Sequence, residues 1–276
     1  MRIDAHQHFW HYNPLEYGWI DPAWEVLTRD FLPGDLLPLL REEGFDGSIA
    51  VQARQSLEET NWLLNLATTN QHVLGVVGWL DLCSPDTKEQ IGKFASHPKL
   101  CGVRHVIHDE PDDDFMLRDD FLHGISCLEE FKLPYELLIF PKHLSNTIQL
   151  VEKFSRQVFI LDHIGKPGIR EQQLSPWKGE IEQLASFPNV YCKLSGMVTE
   201  AKWHEWKQED FHPFLKTVLD AFSPERLLIG SDWPVCLLSG SYKATIQLTK
   251  NFLGMLSIAE QKMILGENAA RVYRIR

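Results

Sequence analysis

Two histidines at a spacing of two, His6 and His8, close the short run Ile3-Asp4-Ala5-His6-Gln7-His8. On a β-strand, residues i and i+2 point to one face, so both imidazoles would enter one space. On a helix they would diverge by about 200°. Such a pair can hold a metal or polarise a carbonyl. Alone it is as readily a chance pair. Far downstream, Ser231-Asp232-Trp233 follows another apolar run and offers a carboxylate. A carboxylate beside imidazoles can take a proton from water.

These residues need elements to bring them together. Apolar, β-branched runs occupy 2–8, 47–52, 73–80, 102–107, 135–140, 158–162, 190–194 and 226–229. They are continuously hydrophobic, as expected of strands buried on both faces. Between them lie helical patterns. Ser56-Leu57-Glu58-Glu59 and Ser257-Ile258-Ala259-Glu260 read as capping boxes. Ser84-Pro85 and Ser175-Pro176 read as a cap followed by proline at the first helical position. Gly266 is expected to end one helix, and 267–273 to form a last short one. Eight strand–helix units within 276 residues predict an α/β fold, a single (β/α)8 TIM-like barrel over residues 1–276. No GxGxxG follows the first run, which weakens a dinucleotide-binding reading.

Chemistry on such a barrel belongs at the C-terminal ends of the strands. Those ends carry His6 and His8, Gln52 and Arg54, Trp79 and Asp81, Arg104, His105 and His108. Further round they carry Asp162, His163 and Lys166, then Lys193 and Ser195, then Ser231, Asp232 and Trp233. Each has a plainer use. Asp232 could cap a helix, and Arg104 could pair with Asp81 or Glu136. Trp79 and Trp233 could be platforms for a sugar ring or rim packing. Residues 9–33 form a long aromatic loop, read either as a wall over the site or as a small aromatic core. The acidic run at 109–114 reads as a solvated turn.

A net charge of −11 argues against nucleic acid or anionic membrane as partner. No apolar run approaches the roughly 18 residues of a membrane span. The start carries one Arg and no apolar stretch, so no signal peptide is expected. Five cysteines without CxxC read as reduced thiols in a cytoplasmic protein. A homo-oligomer is compatible with all of this.

The motifs Asp4-Ala5-His6-Gln7-His8, Gly102-Val103-Arg104-His105, Leu161-Asp162-His163-Ile164-Gly165-Lys166-Pro167, Gly230-Ser231-Asp232-Trp233-Pro234 and Glu267-Asn268-Ala269-Ala270-Arg271-Val272-Tyr273 resemble the amidohydrolase superfamily. Within it they are similar to the branch of sugar-lactone hydrolases. The resemblance implies that His6 and His8 are the strand-1 pair, Asp232 the strand-8 general base and occasional metal ligand, and His163 the strand-6 histidine. The chain departs from the pattern twice. It has Arg104 and His105 where a bridging lysine would stand on strand 4. It has Leu138-Ile139-Phe140 where strand 5 commonly places a metal-binding His. A binuclear site is therefore not expected. One divalent metal, zinc first by ligand type, would rest on His6, His8 and Asp232. The branch also implies members that work without metal.

The expected reaction is opening of a small sugar lactone by base-assisted attack of water. Asp232, His163, His6 and His8 would act on the reacting atoms. Arg104, His105, Gln52, Arg54, Trp79, Lys166 and Trp233 would contact substrate. Two rivals stand beside it: a mononuclear zinc amidohydrolase or decarboxylase on the same barrel, and a non-catalytic barrel that binds a sugar acid.

Overall fold

A computed structural model describes residues 1–275. Eight parallel strands follow one another in chain order: β1 (Ile3–Gln7), β2 (Gly47–Val51), β3 (Val73–Gly78), β4 (Leu100–Val106), β5 (Tyr135–Leu138), β6 (Phe159–Leu161), β7 (Val190–Leu194) and β8 (Leu227–Ile229). Every neighbour in sequence is a neighbour in the sheet. Each strand matches a predicted run to within two residues at either end: β4 starts two residues earlier, β7 has the predicted bounds, and the others are shorter by one or two residues.

Just beyond β8, the backbone bonds to the first strand. Asp232 N donates to His6 O at 2.8 Å, and His8 N donates to Trp233 O at 2.7 Å. The sheet thus comes round into a barrel. These two bonds set the carboxylate of one end of the chain beside the imidazoles of the other.

Helices cover the outside: α1 (Pro33–Glu42), α2 (Leu57–Thr69), α3 (Thr87–Ala95), α4 (Asp119–Phe131), α5 (Leu144–Lys153), α6 (Trp177–Ala185), α7 (Gln208–Phe222), α8 (Tyr242–Leu253), α9 (Ile258–Lys262) and α10 (Asn268–Val272). The main core lies between strands and helices. A second cluster fills the barrel's lower interior, where Ile3, Ala5, Ile49 and Val77 meet Tyr273 at the end of α10. No helix among the described residues is long and apolar enough to cross a membrane.

Local signals were partly misread. Ser257 and Glu260 form the reciprocal box. Ser56 caps α2 through Glu59 N, but the Glu59 carboxylate turns away to accept from Ala53 N and Arg54 N. It is needed more by the loop after β2 than by the helix. Pro85 and Pro176 stand before α3 and α6 rather than at their first positions. Gly266 does break the helical path as expected: its backbone is non-helical (φ 168°, ψ −30°) within the wide π-type turn Met263–Glu267, and α10 follows.

Candidate active site

The strand alternation that aims His6 and His8 is broken once. Ala5 packs in the lower interior cluster, yet its neighbour His6 also faces the interior. The β1–β2 register slips between Asp4 and Gln7. Such a slip lets consecutive residues face one side. Asp4 then points outward, accepting from Ser231 N at 2.9 Å and Tyr242 OH at 3.1 Å. Burial raises its pKa to about 6. It ties the start of β1 to the loop that carries Asp232.

Four groups converge. His6 Nε2 lies 3.2 Å from His8 Nε2. Asp232 Oδ1 is 3.3 Å from His8 Nε2, 3.7 Å from His6 Nε2 and 4.0 Å from His163 Nε2. All four are buried. Asp232 (φ 57°) and His163 (φ 54°) both occupy the left-handed region, an unfavourable backbone for such residues, held by surrounding contacts. Two glycines make the approach possible. A Cβ on Gly230 would stand 2.7 Å from His6 Cβ, and one on Gly196 (φ +59°) only 2.3 Å from His163 Nδ1.

Burial opposes charge on Asp232, but His163, His8 and His6 outweigh it and draw its pKa below the usual carboxylate range. Burial lowers His163 to about 3. Burial, with Lys193 beside it, also lowers His6. At neutral pH the Asp232 carboxylate therefore faces the neutral rings of His6 and His163. His163 Nδ1 meets Ser195 Oγ at 2.9 Å.

Below the cluster lies a fully buried ionic layer. Arg104 Nη1 donates to Asp162 Oδ2 at 2.9 Å, and Nη2 to Gln52 O at 2.6 Å. Lys193 Nζ reaches Glu136 Oε2 at 2.6 Å and Asp162 Oδ1 at 3.1 Å. Tyr273 OH donates to the other Glu136 oxygen. Burial raises Glu136 to about 7 against the pull of Lys193. Burial acts the same way on Asp162, but Lys193, His6 and Arg104 reverse it and hold that carboxyl charged.

The cluster floors a cavity of about 420 Å³, a size typical of small-molecule sites. Gln52, His108, Lys166, Trp19, Trp24 and Trp203 are among its walls. A hollow of about 450 Å³ beyond the end of α4, lined by Glu129, Lys132 and Arg156, holds no imidazole and no buried carboxylate. We therefore place the chemistry at the former.

Of the residues expected at the site, His8, Gln52, Arg104, His163, Lys166 and Asp232 border the cavity, and His6 lies against it. Four expected substrate contacts do not. Trp233 is packed against Phe9 and Phe31. Trp79 Nε1 donates to His105 Nδ1. His105 stacks on Phe115 and bonds Glu110 at 2.6 Å. Arg54 turns to Glu16 at 2.5 Å. Each has a nearer partner outside the cavity. Arg104 pairs with Asp162, neither Asp81 nor Glu136, and its two terminal nitrogens are engaged below the cavity. Both readings of the 9–33 loop hold. Trp10, Tyr17 and Phe31 form a buried aromatic core, while Trp19 and Trp24 face the cavity. Sequence reasoning gave Lys193, Asp162 and Glu136 no role at the site. Their signal was charge at interior-facing strand positions.

His6, His8 and Asp232 lie close enough to share a metal ion. Zinc bonds of about 2.0–2.2 Å at tetrahedral angles put ligand atoms about 3.3 Å apart. The spacings here fit. His8 fits in chemistry too: its Nδ1 donates to Val51 O at 2.9 Å, leaving a lone pair on Nε2 towards Asp232.

Comparison with known proteins agrees with this geometry. The amidohydrolase family model matches residues 3–275. The L-fucono-1,5-lactonase of Burkholderia multivorans is 39% identical, covering 100% of this chain and 96% of that protein. That of Burkholderia ambifaria is 36% identical over the same shares. An amidohydrolase from Burkholderia multivorans, crystallised with bound zinc, superposes with a TM-score of 0.96 at 39% identity, covering 100% of both chains. A likeness that runs from β1 through α10, with His6, His8 and Asp232 brought to one cluster, means that the chain belongs to the amidohydrolase family.

Proposed function

We propose that this protein is a hydrolase that opens a small sugar lactone, an aldonolactone such as L-fucono- or L-rhamnono-lactone. The observation that carries it is one carboxylate beside three imidazoles, those of His6 and His163 held neutral by burial, on the floor of a cavity with both aromatic and polar walls. The relatives named for L-fucono-1,5-lactone support the substrate class.

Asp232 takes a proton from water as the water oxygen bonds the lactone carbonyl carbon. Charge then develops on the carbonyl oxygen, with His6 and His163 placed to donate an N–H to it, while His8, whose ring hydrogen goes to Val51 O, holds its place beside Asp232. The bond from the carbonyl carbon to the ring oxygen breaks, and the proton held by Asp232 passes to that oxygen. Gln52 Nε2 and Trp19 Nε1 are buried donors without a partner among the described residues. Both border the cavity and suit sugar hydroxyls. Trp24, Trp203 and Phe140 offer apolar faces to the ring. Lys166, paired with Glu200 at 2.7 Å, stands at the rim. His6, His8 and Asp232 would hold a divalent metal, zinc first, and when bound it would supply a Lewis acid for the carbonyl.

The test is a pH-indicator screen of sugar lactones, with and without EDTA. Acid release from an aldonolactone is expected. Turnover retained in EDTA assigns carbonyl activation to the imidazoles and excludes the zinc amidohydrolase rival. Loss restored by zinc assigns it to the metal. Failure to open any lactone, with binding of sugar acids intact, would favour the non-catalytic rival.

A further inference from the structure

His6 is flanked by a cation at its inner nitrogen, and this bears on which of its nitrogens carries hydrogen. We propose that Lys193 is a positioning residue that keeps the His6 proton on Nε2, the nitrogen turned towards His8 and Asp232. The catalytic consequence rests on the lactonase reading; the proton position does not.

The argument is one of donors and acceptors. Lys193 is completely buried, so its three N–H groups need partners inside the protein. Glu136 Oε2 at 2.6 Å accepts one and His6 Nδ1 at 3.1 Å meets another, while Asp162 Oδ1 at 3.1 Å is an ion-pair contact outside hydrogen-bond geometry. An ammonium has no lone pair, so Nδ1 must accept. A neutral ring then carries its hydrogen on Nε2. That nitrogen faces His8 Nε2 at 3.2 Å, which is an acceptor because His8 Nδ1 donates to Val51 O. Lys193, His6, His8 and the Val51 carbonyl therefore form a chain with one hydrogen at each contact.

The opposite tautomer wires the site worse. His6 Nδ1 would donate to Asp162 Oδ1 at 3.4 Å, and Nε2 would accept from Arg104 Nη1 at 3.3 Å. Both contacts are longer. Two lone pairs would then face each other across the His6–His8 gap, and a lysine hydrogen would oppose an N–H. Arg104 gives up little in the favoured arrangement, since Nη1 already donates to Asp162 Oδ2 at 2.9 Å.

The consequence is a preset donor. His6 Nε2–H can turn from His8 to a developing oxyanion without a proton first crossing the ring. A metal bound through Nε2 needs the other tautomer and must displace the lysine contact. Lys193 thus favours the donor state of His6 over the ligand state.

The experiment uses full-length, metal-free protein with 15N-labelled histidine. Long-range 1H–15N correlation reads the tautomer, and His6 is assigned by difference against His6→Gln. The parent is expected to show Nε2–H. The double variant Lys193→Met/Glu136→Gln removes the cation together with one carboxylate partner, and the other, Asp162, keeps Arg104 at 2.9 Å, so no charge is orphaned. It is expected to show Nδ1–H, to bind zinc about tenfold more tightly by calorimetry, and to lose about a hundredfold in kcat with KM little changed. Nδ1–H in the parent overturns the proposal, as does Nε2–H persisting in the double variant. The parent spectrum decides if the variant does not fold. A parent with Nε2–H and no lactone turnover leaves the proposal standing and removes only the lactonase reading.

Discussion

Gly196→Ala is a small change that reaches the chemistry through shape alone. Its new Cβ would lie 2.3 Å from His163 Nδ1 and 2.5 Å from Cγ. Ordinary contact begins near 3.4 Å, so the ring must retreat by about 1 Å. The alanine must also keep φ near +59°, at a cost of about 1–2 kcal/mol. The retreat breaks the 2.9 Å contact with Ser195 Oγ and moves the ring off its place beside Asp232. A displacement of that size costs about a hundredfold in rate, or about 2.7 kcal/mol of barrier. Lactone hydrolysis followed by pH-stat should give kcat down by that factor and KM within a few fold. Circular dichroism and a urea midpoint establish that the variant is folded. Gly179→Ala is the control: its Cβ meets nothing within 4 Å in α6, so it should keep full activity and gain about 1 kcal/mol of stability. A folded Gly196→Ala protein with activity within threefold of the parent would refute the placement of His163 at the reacting carbonyl.

Asp232→Asn should lower kcat by about a thousandfold, since the amide keeps the shape but not the base; loss of less than tenfold removes Asp232 from the proton transfer. Trp24→Ala and Trp203→Ala, which strip ring-sized faces from the cavity, should each raise KM about tenfold with kcat nearly unchanged; equal losses in kcat would instead place these rings at the reacting atoms. His163 is held neutral down to about pH 3, whereas an unfolded histidine protonates near 6.5. Between those values the unfolded chain binds the extra proton, so His163's contribution is fully present above pH 6.5 and is lost as pH falls. His163→Gln should therefore lose less stability than the parent between pH 7 and pH 5. Parallel urea-midpoint profiles would refute the shift.

The barrel was legible because its strands are buried on both sides and read as unbroken apolar runs. The His6–His8 pair was legible because a strand fixes the direction of alternate residues. Asp232 was found as a polar residue at the end of the last run. The ionic layer was harder. Glu136 on β5, Asp162 just past β6 and Lys193 on β7 come from three adjacent strands, and only the register between those strands brings their charged groups together. The same limit explains Trp79, Trp233, His105 and Arg54. Their positions in sequence are right for the rim, but nearer partners such as Glu110, Glu16 and Phe31 turn them away. Spacing carries no information about such partners. Ser56 and Glu59 show the same competition locally, where a loop's backbone donors outbid a helix cap.

Tyr273 lies beyond every strand in the sequence, yet its ring lines the lower interior and its hydroxyl reaches Glu136. Fraying of α10 would let water rise to Glu136 and Lys193 from below. Hydration there would loosen the grip on His6 without disturbing any cavity wall. The lower mouth of the barrel is thus sealed by the far end of the chain. Whatever order the strands assemble in, the interior dries only when that end has docked.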